Sequence, residues 1–158
     1  MDELAQRIGR RLKASRQRLV TAESCTGGWA AQVVTSVAGS SEWFERGFVT
    51  YSNDAKQESL GVPAEVLKKF GAVSEETARE MALGALARSK GTIALSVTGV
   101  AGPTGGSAAK PVGTVCFAWA VKSSARSETR HFAGDRESVR RQSVIRALEG
   151  VIELLDSA

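Results

Sequence analysis

The spacing of apolar residues changes period several times along this chain, and that alternation limits the fold more than any other feature. Leu4, Ile8 and Leu12, with Ala5, recur at helical intervals and give an N-terminal helix one apolar face. Arg18 to Ala22 (RLVTA) then reads as a short β-branched strand. Trp29, Val33, Val34 and Val37 return to helical spacing and stop near Gly39-Ser40-Ser41. Arg46 to Tyr51 (RGFVTY) predicts a second strand. The Ser52-Asn53-Asp54 cluster after it predicts an N-cap, so a helix carrying Lys56 opens there. Pro63 to Phe70 predicts a short helix stopped by Gly71, and Ser74 caps a longer one with Ala78, Met81, Ala82, Ala85 and Leu86 on one face. Thr92 to Thr98 (TIALSVT) is the most strand-like run. Val112 to Val121 and Glu128 to Phe132 predict paired strands with a turn near Ser123-Ser124. Gly134-Asp135 precede a last helix, on which Val144, Leu148, Val151 and Leu155 share a face.

Helices that alternate with strands, with one late hairpin, predict an α/β fold: a three-layer α/β/α sandwich around a mixed, mostly parallel sheet. The 158 residues suit one domain, 1–158, whose core needs neither disulfide nor metal. No apolar run has the ~18 residues that a membrane helix requires. The charged N-terminal stretch MDELAQRIGRRLKASRQRL does not read as a signal peptide. Cys25 and Cys116 are far apart and lack metal-ligand spacing, which predicts a reducing, cytoplasmic setting. The net charge of +4, concentrated at Arg7–Arg18 and Arg126–Arg146, admits an anionic partner but reads first as solvated helix faces. One tyrosine and scattered aromatics provide no row of stacking side chains, so nucleic acid is the weaker rival among partners. A homodimer is the expected assembly, because C2 is the commonest symmetry.

In sheets of this kind, ligands bind beyond the carboxyl ends of the strands. Three loops qualify: Glu23–Gly28, Tyr51–Lys56 and Gly99–Ser107. Ser24 in TAESCTGG is a nucleophile only if a base takes its proton. The one histidine, His131, sits inside a predicted strand, and the surroundings of Ser24 do not match the G-x-S-x-G elbow. Lys56 is another candidate base. It must be neutral, and lowering a lysine from about 10.4 to ~7 costs roughly 4–5 kcal/mol, which burial and a helix start can supply. Tyr51, the only tyrosine, could relay a proton between Lys56 and Ser24. The same two residues also read as a surface lysine and an amphipathic strand end. Cys25 is either a rival nucleophile or a small buried side chain. The loop after Thr98 (Gly99, Gly102, Gly105, Gly106) resembles an anion cradle but is neither a Walker A loop nor G-x-G-x-x-G, and a plain connection is the competing reading. Arg136 and Arg140 suit a phosphate or carboxylate clamp, or else surface pairs with Asp135 and Glu137. One histidine and no clustered carboxylates predict no metal site.

Taken together and in this order, TAESCTGG, GSSEWFERGFVTYSNDAK, FGAVSEETAREMA and SVTGVAGPTGGSAAKPVG closely resemble the CinA C-terminal domain family in its free-standing form. The resemblance extends from about Leu4 into the final helix. It implies a nicotinamide-nucleotide amidohydrolase that converts nicotinamide mononucleotide (NMN) to nicotinate mononucleotide and ammonia without metal or organic cofactor. The family's catalytic group falls on Ser24, Tyr51 and Lys56. The N–H groups of Cys25, Thr26, Gly27 and Gly28, read as a helix start, would face the oxyanion. The phosphate and ribose side falls on Thr98, Gly99, Ala101, Gly102, Gly105 and Gly106, with Arg136 and Arg140. A nucleotide-binding module that uses the same loops without turnover is the alternative expectation.

Overall fold

A computed structural model describes residues 1–157. Five strands form one sheet: β1 (Leu19–Glu23), β2 (Phe44–Val49), β3 (Ile93–Gly99), β4 (Thr114–Val121) and β5 (Ser124–His131). Six α-helices accompany them: α1 (Asp2–Ala14), α2 (Trp29–Thr35), α3 (Asn53–Leu60), α4 (Ala64–Phe70), α5 (Glu75–Ala87) and α6 (Arg136–Asp156). The strand order is β2-β1-β3-β4-β5. β1 pairs parallel with β2 and β3, while β3–β4 and β4–β5 are antiparallel. The sheet is thus mixed, with β4 alone running against the other four strands.

Alternating side chains divide the core into two layers. Ile93, Leu95 and Val97 of β3 and Val115, Phe117 and Trp119 of β4 join the buried residues of α1, α2 and α6. Their neighbours Ala94, Cys116, Ala118 and Ala120 meet Ala78, Met81, Ala82 and Ala85 of α5. Small side chains on that face let α5 lie close, and Ser96 Oγ donates to the Ala78 carbonyl at 2.6 Å. Each large buried aliphatic or aromatic side chain contributes about 1.5–3 kcal/mol. α6 is held to the hairpin by Arg146, whose guanidinium bonds Glu128 and Glu153 at 2.8 Å. The sequence put this arginine on a solvated face, but it is only 8% exposed.

Some boundaries differ from the sequence reading. β1 runs to Glu23, and β2 ends at Val49, so Tyr51 lies beyond the sheet. β4 starts at Thr114 because Gly113 turns with φ 94°. Val121 pairs with Ser124, so the hairpin turns at Lys122-Ser123, with Lys122 left-handed at φ 58°. The helix after TAESCTGG opens at Trp29 rather than Cys25, since Gly27 and Gly28 take positive φ values of 60° and 103°.

β1 lies between β2 and β3. The chain leaves β1 toward one side of the sheet and β3 toward the other, which opens a crevice at their carboxyl ends.

Candidate active site

Ser24 is the first residue past β1. Its N–H donates to the Val97 carbonyl at 3.0 Å, which fixes it against β3. The turn that follows is closed by Gly27 N–H on the Ser24 carbonyl and Trp29 N–H on the Thr26 carbonyl, both at 3.0 Å. Beneath it lies Glu23, fully buried. Its carboxylate accepts from Thr26 Oγ1 at 2.6 Å and from the N–H groups of Ala30 and Ala31 at 2.8 and 3.1 Å. A buried carboxylate thereby satisfies the free donors at the start of α2 and anchors the segment that carries Ser24.

Lys56 enters from α3, whose start is capped by Ser52 Oγ accepting from Ala55 N–H. The side chain is 1% exposed. Its Nζ is 3.0 Å from Ser24 Oγ, 3.0 Å from the Thr50 carbonyl and 3.1 Å from the Tyr51 carbonyl. Among the described residues no carboxylate forms a salt bridge with it. Burial therefore pushes its pKa below the usual lysine value. Carbonyls only accept, so a neutral amine donates its two hydrogens to Thr50 and Tyr51. Its lone pair is then left for the Ser24 hydroxyl. This geometry suits a lysine general base acting on a serine nucleophile.

Cys25 follows the packing alternative. It is buried, and desolvation pushes its thiol up to about 12. His131 is exposed at the end of β5 and lines a different hollow, beside Cys116. It therefore does not partner Ser24.

The cavity over this pair has a volume of about 360 Å³. Ser24, Cys25, Tyr51, Lys56, Thr98, Gly99, Ala101, Gly102, Gly105 and Arg136 all line it. Thr98 also ties its wall together, donating to the Ala72 carbonyl at 2.9 Å. Arg136, at the start of α6, crosses the mouth: Nη1 donates to the Gly102 carbonyl at 2.8 Å and Nη2 to the Tyr51 hydroxyl at 3.2 Å. The Tyr51 ring is 61% exposed. Its carbonyl, not its hydroxyl, makes the hydrogen bonds to Ser24 and Lys56, so the hydroxyl relay expected from the sequence is not in place here.

Thr26, Gly27, Gly28, Gly106 and Arg140 lie outside the lining. Thr26 is spent on Glu23. Arg140 reaches behind the turn, with Nε 3.1 Å from the Cys25 carbonyl and Nη2 3.2 Å from the Thr26 carbonyl. Sequence reasoning missed Glu23 and the Thr50 carbonyl. A carboxylate at the junction of a strand and a glycine turn was the available signal for Glu23, whereas a main-chain acceptor leaves none. Among the described residues no three His, Cys, Asp or Glu side chains are grouped to hold a metal, and no helix is long and apolar enough to cross a membrane.

The CinA C-terminal domain profile matches residues 1–155. The chain is 54% identical over 151 residues to the nicotinamide-nucleotide amidohydrolase PncC of Escherichia coli K12, covering 93% of this chain and 90% of that protein. It is also 54% identical over 151 residues to the protein of the same name from Pseudomonas putida, covering 96% and 94%. The crystal structure of the competence/damage-inducible protein CihA from Agrobacterium tumefaciens superposes with a TM-score of 0.94 at 48% identity, over 97% of this chain and 94% of that one.

Proposed function

This chain belongs to the CinA C-terminal domain family, and from that membership we propose that it is a nicotinamide-nucleotide amidohydrolase that converts NMN to nicotinate mononucleotide and ammonia. The observation that carries the mechanism is the buried Lys56 amine 3.0 Å from Ser24 Oγ, with carbonyls as its other two partners.

Neutral Lys56 takes the hydroxyl proton as Ser24 Oγ bonds to the carboxamide carbon. The carbonyl oxygen gains charge, and the backbone N–H groups of the turn after Ser24 are preorganised donors for it. Gly27 N–H is committed to the Ser24 carbonyl, which leaves those of Cys25, Thr26 and Gly28 without backbone acceptors among the described residues. Lys56 returns the proton to the amide nitrogen, the C–N bond breaks and ammonia leaves. Water then attacks the acyl-serine, Lys56 accepts its proton, and the carboxylate departs as Ser24 is reprotonated. The glycine loop forms the opposite wall, and Arg136 at the mouth is the cation for the 5′-phosphate. That contact draws Arg136 from the Tyr51 hydroxyl and frees the phenol to face the substrate. A cavity of about 360 Å³ is within the range of small-ligand sites.

Ammonia release from NMN by wild type, Ser24→Ala and Lys56→Met is the test. Wild type is expected to turn over and both variants to lose activity. An inactive wild type that still binds NMN would favour the binding-module alternative, and full activity of Ser24→Ala would end the serine mechanism. We place the reaction in the cytoplasm. We propose that the chain forms a homodimer, which light scattering checks.

A further inference from the structure

We propose that Arg140 is a positioning residue that orients the peptide groups behind Ser24, rather than a substrate clamp. The inference rests on the amidohydrolase reading for its kinetic readout. Arg140 is half-buried on α6, one turn past Arg136, and does not line the cavity. Among the described residues it has no carboxylate partner. Its guanidinium is spent on two consecutive carbonyls, Cys25 at 3.1 Å and Thr26 at 3.2 Å, and sits 5.6 Å from the centre of the Trp29 ring. Gly27 permits this approach, because a Cβ there would come within 3.3 Å of Nη2 while the backbone φ is +60°.

A trans peptide is planar, so fixing a carbonyl fixes the N–H on the opposite side of the same plane. The two carbonyls that Arg140 holds belong to the planes that carry Thr26 N–H and Gly27 N–H. Gly27 N–H closes the turn on the Ser24 carbonyl, and Thr26 N–H has no backbone acceptor among the described residues. A cation on each carbonyl also polarises the N–H of its own peptide. Glu23 grips this turn from beneath, and Arg140 grips it from behind. Two opposite charges thus set the peptide planes next to the nucleophile. Such a residue acts on the transition state and leaves substrate binding alone.

Arg140→Ala and Arg140→Lys are compared with wild type for NMN deamidation, with and without added methylguanidinium. A misplaced catalytic group costs about 10²-fold in rate, so kcat of Arg140→Ala is expected to fall ~100-fold with KM unchanged. Methylguanidinium is expected to restore part of kcat. Lysine cannot fork across two carbonyls, so Arg140→Lys keeps the charge and is expected to lose kcat as well. A raised KM with unchanged kcat, or full activity of Arg140→Lys, overturns the proposal. Ser24 labelling by a fluorophosphonate gives a readout that needs no nucleotide. Slower labelling of both variants supports the positioning role even if the wild type releases no ammonia, and equal labelling rates overturn it.

Discussion

A charged ammonium at Lys56 has three donors and finds three oxygens, Ser24 Oγ and the carbonyls of Thr50 and Tyr51. A neutral amine gives up one donor and gains a lone pair, and only the hydroxyl can meet it. Because burial lowers this pKa, the active form is populated below the ordinary lysine range. Activity is therefore expected to rise with pH through that lowered value, and a kcat/KM profile that is flat from pH 6 to 10 contradicts a lysine base. Lys56→Met is expected to lose about 10²–10⁴-fold, the usual worth of general base catalysis. Stability follows the same sign. Between the lowered folded value and the ordinary 10.5 the unfolded chain binds the proton and the native chain does not, so wild type gains stability relative to Lys56→Met as pH rises. Denaturant titrations of both proteins at pH 7 and pH 9 check this. Cys25 is the residue-scale control: with its thiol pushed up to about 12, Cys25→Ala is expected to keep most of its activity. Loss of activity with the fold intact would return the sulfur to the mechanism.

Elements convert these residues into a site by fixing where helices start. α3 delivers Lys56, and its distance from α5 is set by Gly84. A Cβ at that position would lie 1.9 Å from the Leu60 carbonyl oxygen, which is main chain and cannot rotate away. Gly84→Ala must therefore push α3 off α5. Overpacking of this kind costs about 1–3 kcal/mol, or roughly 2–12 °C in Tm at 2–4 °C per kcal/mol. Since α3 moves with its lysine, kcat is expected to fall too. A stable, fully active Gly84→Ala would show that α3 is not held by this contact. The helices and strands were legible in the sequence because their signals are local: RLVTA is a short β-branched run, buried throughout β1, and α6 repeats its apolar residues at helical intervals. Boundaries at the site were less legible. Thr50 N–H still bonds the Glu23 carbonyl after β2 has ended, so Tyr51 leaves the sheet with its ring outward, and no local pattern encodes that. The helix start at Trp29 likewise depends on Glu23 reaching Ala30 and Ala31.

At the scale of the molecule, four segments carry the candidate polar groups, beside a wall at Ala72 and Val73: the end of β1, the stretch from β2 into α3, the end of β3 and the start of α6. The first three were foreseeable, because parallel strands in an α/β sheet bring their carboxyl ends to one edge. The fourth was visible only as arginines near a cap. Arg136 bonds Gly102, 34 residues away, and Tyr51, 85 residues away, while Arg140 bonds Cys25, 115 residues away. Acceptors at that separation, two of them main-chain carbonyls and one the Tyr51 hydroxyl, leave no trace in composition or spacing. Because the walls come from both halves of the chain, a bound nucleotide ties the whole fold together and raises its stability by mass action. At 100-fold excess over Kd the gain is about 2.7 kcal/mol, or roughly 5–11 °C in Tm at 2–4 °C per kcal/mol. Ser24→Ala binds NMN without consuming it and is expected to show this shift in full. Adding Arg136→Met to that variant removes the cation at the mouth. A charge-assisted hydrogen bond contributes about 1.5–3 kcal/mol, so about half or more of the shift should vanish at the same NMN concentration. Differential scanning fluorimetry of the two proteins decides it: equal shifts would move the phosphate away from Arg136, and no shift in either would move NMN away from this crevice.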